Sequence, residues 1–114
     1  MPVDRTVVVP EGVAPPQAHY SHGVIASGRF LFVAGQVAVD EHGELVGIGD
    51  AAAQARQVLV NLSRVVEAAG GDLADAVRAT VYLTRLADRG PVGRCAVSSF
   101  RETRRPTPCW WSPR

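Results

Sequence analysis

The stretch "DAAAQARQVLVNLSRVVEAAGGDLADAVRATVYLTRL", Asp50 to Leu86, carries two hydrophobic periodicities, and together they decide the fold. In its first part apolar residues recur at Ala55, Val58, Leu59, Leu62, Val65, Val66 and Ala69, which trace one face of a helix. Asp50 is a good N-cap, because its carboxylate can accept from free amides of the first turn. Gly70-Gly71 supplies the stop. About twenty residues at ~1.5 Å each make a rod of roughly 30 Å, long enough to cross a sheet. Gln57, Asn61 and Arg64 lie off the apolar stripe. Asn61 is expected to bond neighbouring backbone rather than a ligand. Asp72 to Ala76 reads as one short turn. From Val77 to Leu86 the period changes to two: Val77, Ala79, Val81 and Leu83 alternate with Arg78, Thr80, Tyr82 and Thr84, a half-exposed strand.

Upstream, "RTVVVP" (Arg5–Pro10) is a β-branched run closed by proline, and His22–Ser27 reads as a second strand. Pro15 and Pro16 make the segment between them a loop. Ser27-Gly28 is a turn signal. "RFLFVAGQVAV" (Arg29–Val39) is nearly all apolar and predicts a strand buried on both faces for much of its length. Gly35 inside it implies a bulge, or close approach by another backbone or a ligand. A turn follows at His42-Gly43. Downstream a second helix is expected from Asp88, although Gly90, Pro91 and Gly93 weaken its first turns. Past Phe100 no strand pattern survives. The order of elements describes a single α+β domain, with the long helix covering one face of a mixed sheet.

A chain of 114 residues can bury roughly two-thirds of its unfolded surface without staples. No apolar run approaches the ~20 residues of a membrane span, and the N-terminus lacks the pattern of a signal peptide, so a cytoplasmic location is expected. Cys95 and Cys109 are too few for a disulfide framework. The net charge of +1 hides an asymmetry. Residues 1–88 hold six Arg against ten acids, whereas residues 89–114 hold six Arg against Glu102 alone. Lysine is absent, and both Trp and both Cys fall in the last 26 residues. Such a tail can be a basic arm that meets nucleic acid. It is also what a shifted reading frame produces in GC-rich coding DNA.

The segments "HYSHGVIASGRFLFVAGQVAVDEHGELVG" and "QARQVLVNLSRVVEAAGGDLADAVRATVYLTRLAD" together resemble the RidA (reactive intermediate deaminase, YjgF) family. The A-G-Q after a hydrophobic strand, the Q-x-x-x-x-L-x-N-L helix and the G-G-D-L-x-D-x-V-x-x-T-V-Y-L stretch occur in the family's order and spacing. The likeness spans about Ala14 to Asp88. It implies a chorismate-mutase-like α+β fold, with a six-stranded sheet and two helices on one side. It further implies a homotrimer with a pocket at each interface, and hydrolysis of 2-imino or enamine acids to keto acids and ammonia without metal or other cofactor. That chemistry needs an arginine to clamp the substrate carboxylate and a group to take a proton from the attacking water.

The family pattern places substrate-binding residues at Tyr20, Gly35 and Gln36, with Ala34 where serine is frequent. It gives no confident catalytic residue here. Gly93 stands where the family has a pocket asparagine, and Pro108 falls about where it has the arginine. The acid of the last strand finds no counterpart before Arg114. The expected organisation is therefore one RidA-like domain, family-like over 5–88, with a divergent or frame-shifted tail from about 89 to 114 and C-terminal strands missing or degenerate.

Each singled-out residue also has a plainer reading. Tyr20 can be packing beside a turn. His19 and His22 form H-x-x-H without a partnering ligand, which fits rim histidines better than a metal site. Arg104 and Arg105 could replace the missing clamp or simply be solvated. Cys95 has no evident base to make it a nucleophile. Three functions result: an imine deaminase of weak or lost activity, a non-catalytic trimeric binder of small ligands, or a basic-tailed nucleic-acid binder. The first two, acting on a small imine or keto acid with no nucleic-acid or membrane partner, fit the residues better.

Overall fold

The computed structural model describes residues 4–17, 20–101 and 110–113. Strand β1 (Asp4–Val8) pairs antiparallel with β2 (Gly23–Ser27), Thr6 opposite Ile25. Helix α1 (Ala51–Ala68) follows, then a 3-10 turn (Leu73–Asp75), strand β3 (Thr80–Leu83), a second 3-10 turn (Leu86–Asp88), helix α2 (Arg89–Arg101) and strand β4 (Trp110–Pro113). β4 lies parallel to β3, with Thr80 opposite Trp110.

The long helix and its cap form as the sequence dictates. Asp50 is the N-cap, and its Oδ1 accepts from the Ala53 amide at 3.1 Å. The chain leaves the helix through Gly70, whose φ of +83° suits glycine. The predicted stripe is turned inward: Leu59 is buried, and Ala55, Val58, Leu62, Val65 and Val66 are half-buried, while Gln54, Arg56 and Arg64 face solvent. In and around β3, Val77, Ala79, Val81 and Leu83 are half-buried and Arg78, Thr80, Tyr82 and Thr84 are exposed, the alternation read from the sequence.

Of three expectations, the first and third are corrected, and the second, the weakly supported second helix, is met. First, residues 29–37 form no strand and join neither sheet; the described strands make two separate two-stranded sheets rather than one of six. Apolar composition expresses a preference for burial, but a strand also needs neighbours that accept its backbone hydrogen bonds. Here Phe30 and Phe32 remain 60% and 92% exposed. Second, α2 forms despite Gly90, Pro91 and Gly93. Pro91 is the third residue of the helix, where an amide would have no intrahelical partner in any case. Val92 and Ala96, one turn apart, are 6% and 4% exposed and provide the packing that propensity lacks. Third, a strand does occur past Phe100, because β3 offers β4 a free edge to pair with.

The core lies between the helices. Ala96 packs with Leu59, and Leu62, Leu73, Ala76, Ala79 and Cys95 close around them. Arg5 on β1 reaches this layer, its Nη1 donating to the carbonyls of Ala74 and Ala76 at 2.8 and 3.4 Å. No helix among the described residues is long and apolar enough to cross a membrane.

Candidate functional site

Tyr20 sits at the end of the proline-containing loop, immediately before β2, and is half-buried. Its ring meets that of His22 edge-on, centroids 5.6 Å apart and planes at 85°. The phenolic oxygen accepts from the Gln17 amide at 3.5 Å. Nε2 of His22 lies 2.6 Å from the Ala14 carbonyl oxygen, so it carries the proton and donates. Tyr20 and His22 thus fold the loop back on itself. His19 lies outside the described residues. Among those described, no group of three His, Cys, Asp or Glu side chains could hold a metal ion.

Gly35 and Gln36 lie in the segment that joins neither sheet, so the bulge expected at Gly35 has no strand to interrupt. A Cβ built on Gly35 would meet nothing within 4 Å. Apart from its chain neighbours, no atom of the described residues lies there, and the space beside it is open. Gln36 is half-buried, and its Nε2 donates to the Ala34 carbonyl at 3.2 Å. The bonds of Tyr20 and Gln36 are local to their own segments and do not join the two.

A second set of polar side chains lies beside this segment. Nδ2 of Asn61 donates to the carbonyls of Val37 and Val39 at 3.2 and 2.9 Å. Its Oδ1 accepts from Nε2 of Gln57 at 2.9 Å, one helical turn earlier. The expectation for Asn61, a bond to neighbouring backbone, is met. Gln57 was visible in the sequence only as a polar residue off the stripe.

Cys95 lies between the helices, with Sγ 3.7 Å from the Ala52 carbonyl oxygen and 3.8 Å from Nη1 of Arg56. Neither neighbour can take a proton from the thiol as a base would, since a guanidinium stays charged and a peptide carbonyl is scarcely basic. Gly93 lies within α2 and presents no side chain. Arg104, Arg105 and Pro108 lie outside the described residues.

Comparison with known proteins adds the following. The family model described as "Endoribonuclease L-PSP" matches residues 11–111. A RutC family protein of Pyrococcus horikoshii is 38% identical over 101 residues, covering 88% of this chain and 79% of the relative. The 3-aminoacrylate deaminase RutC of Acinetobacter baylyi is 33% identical over 100 residues, covering 88% of this chain and 79% of that one. Among solved structures, a Rid-family protein of Yersinia pestis superposes with a TM-score of 0.82 at 38% identity, over 96% of this chain and 85% of that one. The YjgF gene product of E. coli gives 0.66 at 32% identity, over 85% of this chain and 80% of its own.

Proposed function

Because the chain belongs to the RidA (YjgF) family, we propose that it acts on small 2-imino or enamine acids, hydrolysing them to 2-keto acids and ammonia with an activity that is weak in this chain. One observation carries this reading: the 33% identity, over 88% of the chain, to a deaminase of 3-aminoacrylate, itself an enamine acid. In the reaction an enamine first shifts a proton from nitrogen to carbon and becomes the imine. Water adds to the C=N carbon, the two protons of that water end on nitrogen, and the C–N bond breaks to leave an oxo acid and ammonia. Within the described chain the groups available to a ligand are the Tyr20 hydroxyl, the Gln36 amide and the open space beside Gly35. All three residues are uncharged. That suits a small planar substrate better than a polyanion such as RNA, whose binding rests on Lys and Arg at its phosphates. The reading includes the family's homotrimer, a cytoplasmic setting and chemistry that needs no metal or cofactor.

A second reading is a non-catalytic trimeric binder of the same ligands. Two departures favour it: Gly93 at the asparagine position and Pro108 at that of the carboxylate-clamping arginine. The two separate in one assay. An imine is generated in situ from an amino acid, and ammonia release is followed with and without the protein. Release faster than in buffer, lowered by Tyr20→Phe and by Gln36→Ala, is the expected result. A rate equal to that of buffer would leave only the binding function.

A further inference from the structure

The segment carrying Gly35 and Gln36 has no ladder of its own, so something else must fix its register. Its first fixed points lie just downstream. Val39 bridges to Leu45, and the Val46 amide donates to the Ala38 carbonyl at 2.9 Å. Asn61 adds an attachment from helix α1: it donates to the carbonyls of Val37 and Val39 on either side of buried Ala38. The backbone turns tightly at Ala38, where the Val39 amide donates to the Val37 carbonyl at 2.8 Å, and Nδ2 of Asn61 reaches a carbonyl on either side of that turn.

The amide can point only one way. Both backbone partners are acceptors, so they require Nδ2; Oδ1 is then left facing Gln57, which donates to it through Nε2. From this geometry we infer that Gln57 and Asn61 form a positioning pair, which sets where the Gly35-Gln36 segment stands relative to helix α1. The pair touches no ligand. It acts through Val37, the residue next to Gln36. The bond to Val37 is solvent-exposed, so water can replace it at small cost to global stability. What is lost is placement, to which binding and catalysis are far more sensitive. The inference rests on the proposed pocket at Tyr20, Gly35 and Gln36.

The test uses three variants of the full chain. Asn61→Asp keeps the shape and the acceptor for Gln57 but loses both donors. Gln57→Ala leaves both donors of Asn61 but removes the partner of its Oδ1. Gln57→Glu presents an acceptor to Asn61 and draws Nδ2 away from the segment. Pyruvate is titrated into each while the Gly35 and Gln36 amide signals are followed by NMR, alongside thermal midpoints and, where the parent turns over imine, kcat and KM. Binding weakened about tenfold in Asn61→Asp, and weakened more by Gln57→Glu than by Gln57→Ala, with midpoints near the parent's, is the expected pattern. Unchanged affinity, or losses that simply follow the fall in midpoint, would overturn the inference. A parent that binds pyruvate without turning over imine defeats the deaminase reading and leaves the pair standing. If the parent binds no pyruvate, hydrogen exchange of the Gln36 and Val37 amides decides. About tenfold faster exchange in Asn61→Asp supports the pair, and equal exchange refutes it.

Discussion

At the scale of single residues, the connection into α1 is the least forgiving part of the described backbone. Gly47 has φ +77°, and a Cβ there would lie 2.8 Å from both the Ala53 Cβ and the Gln54 backbone nitrogen. Neither contact can swing aside, since one atom is backbone and the other is fixed to it. The Gly47 carbonyl meanwhile accepts from the Gln54 side chain at 2.8 Å and from the Asp50 amide at 2.9 Å, so a shift of Gly47 also disturbs the entry to the helix. Gly47→Ala should therefore destabilise the fold by on the order of 2 kcal/mol, from left-handed strain together with the clash. Urea unfolding measures this, and a change below about 0.5 kcal/mol would contradict it. Asp50 was legible as a cap from its place before the apolar stripe. Gly47 was not, because a glycine's φ depends on where the next element sends the chain.

At the scale of elements, Arg5 ties the β1–β2 hairpin to the helical layer. Its guanidinium donates to two carbonyls of the turn after α1, at 2.8 and 3.4 Å, from a partly buried position. Removing it leaves those carbonyls to water and loosens the hairpin. Arg5→Ala should cost about 1.5 kcal/mol, the range for a hydrogen bond with a charged donor. Faster hydrogen exchange in β1 and β2 than in α1 would show that the loss is local; a uniform change across the chain would argue against this role. Elements whose own periodicity specifies them were legible in advance. α1 has its stripe and both end signals, and β3 its clean alternation. Residues 29–39 were misjudged because an apolar run does not say which neighbour will cover it. α2 was legible only weakly and β4 was missed because their support is tertiary: Leu59 and Ala96 meet across the helix pair, and β3 lends β4 an edge. The proposed site could be named only through resemblance. No spacing rule singles out Tyr20 or Gln36, and the Gln57–Asn61 pair becomes visible only when α1 lies beside residues 37–39.

At the scale of the whole molecule, the described chain is under-buried for its composition. The core holds Ala38, Leu59, Ala74, Val92 and Ala96, and no large side chain among the described residues is fully buried. Ile25, Phe30, Phe32, Val37 and Tyr82 are each at least 60% exposed. Three of them flank Gly35 and Gln36 in sequence, so whatever covers these side chains also closes the space beside the proposed pocket. A second and third copy of the chain would do both, in keeping with the homotrimer of the proposed function. Burial of a Phe is worth roughly 1.5–3 kcal/mol, comparable with a large fraction of a small domain's net stability of about 5–15 kcal/mol. Sedimentation should therefore give the mass of three chains, with a thermal midpoint that rises with protein concentration. Phe32→Glu, at the most exposed of these aromatics, places a charge in the contact and should shift the protein to monomer with a lower midpoint. A parent chain that stays monomeric and unfolds cooperatively at a concentration-independent temperature would show that these apolar side chains tolerate water. The pocket would then have to be complete within one chain.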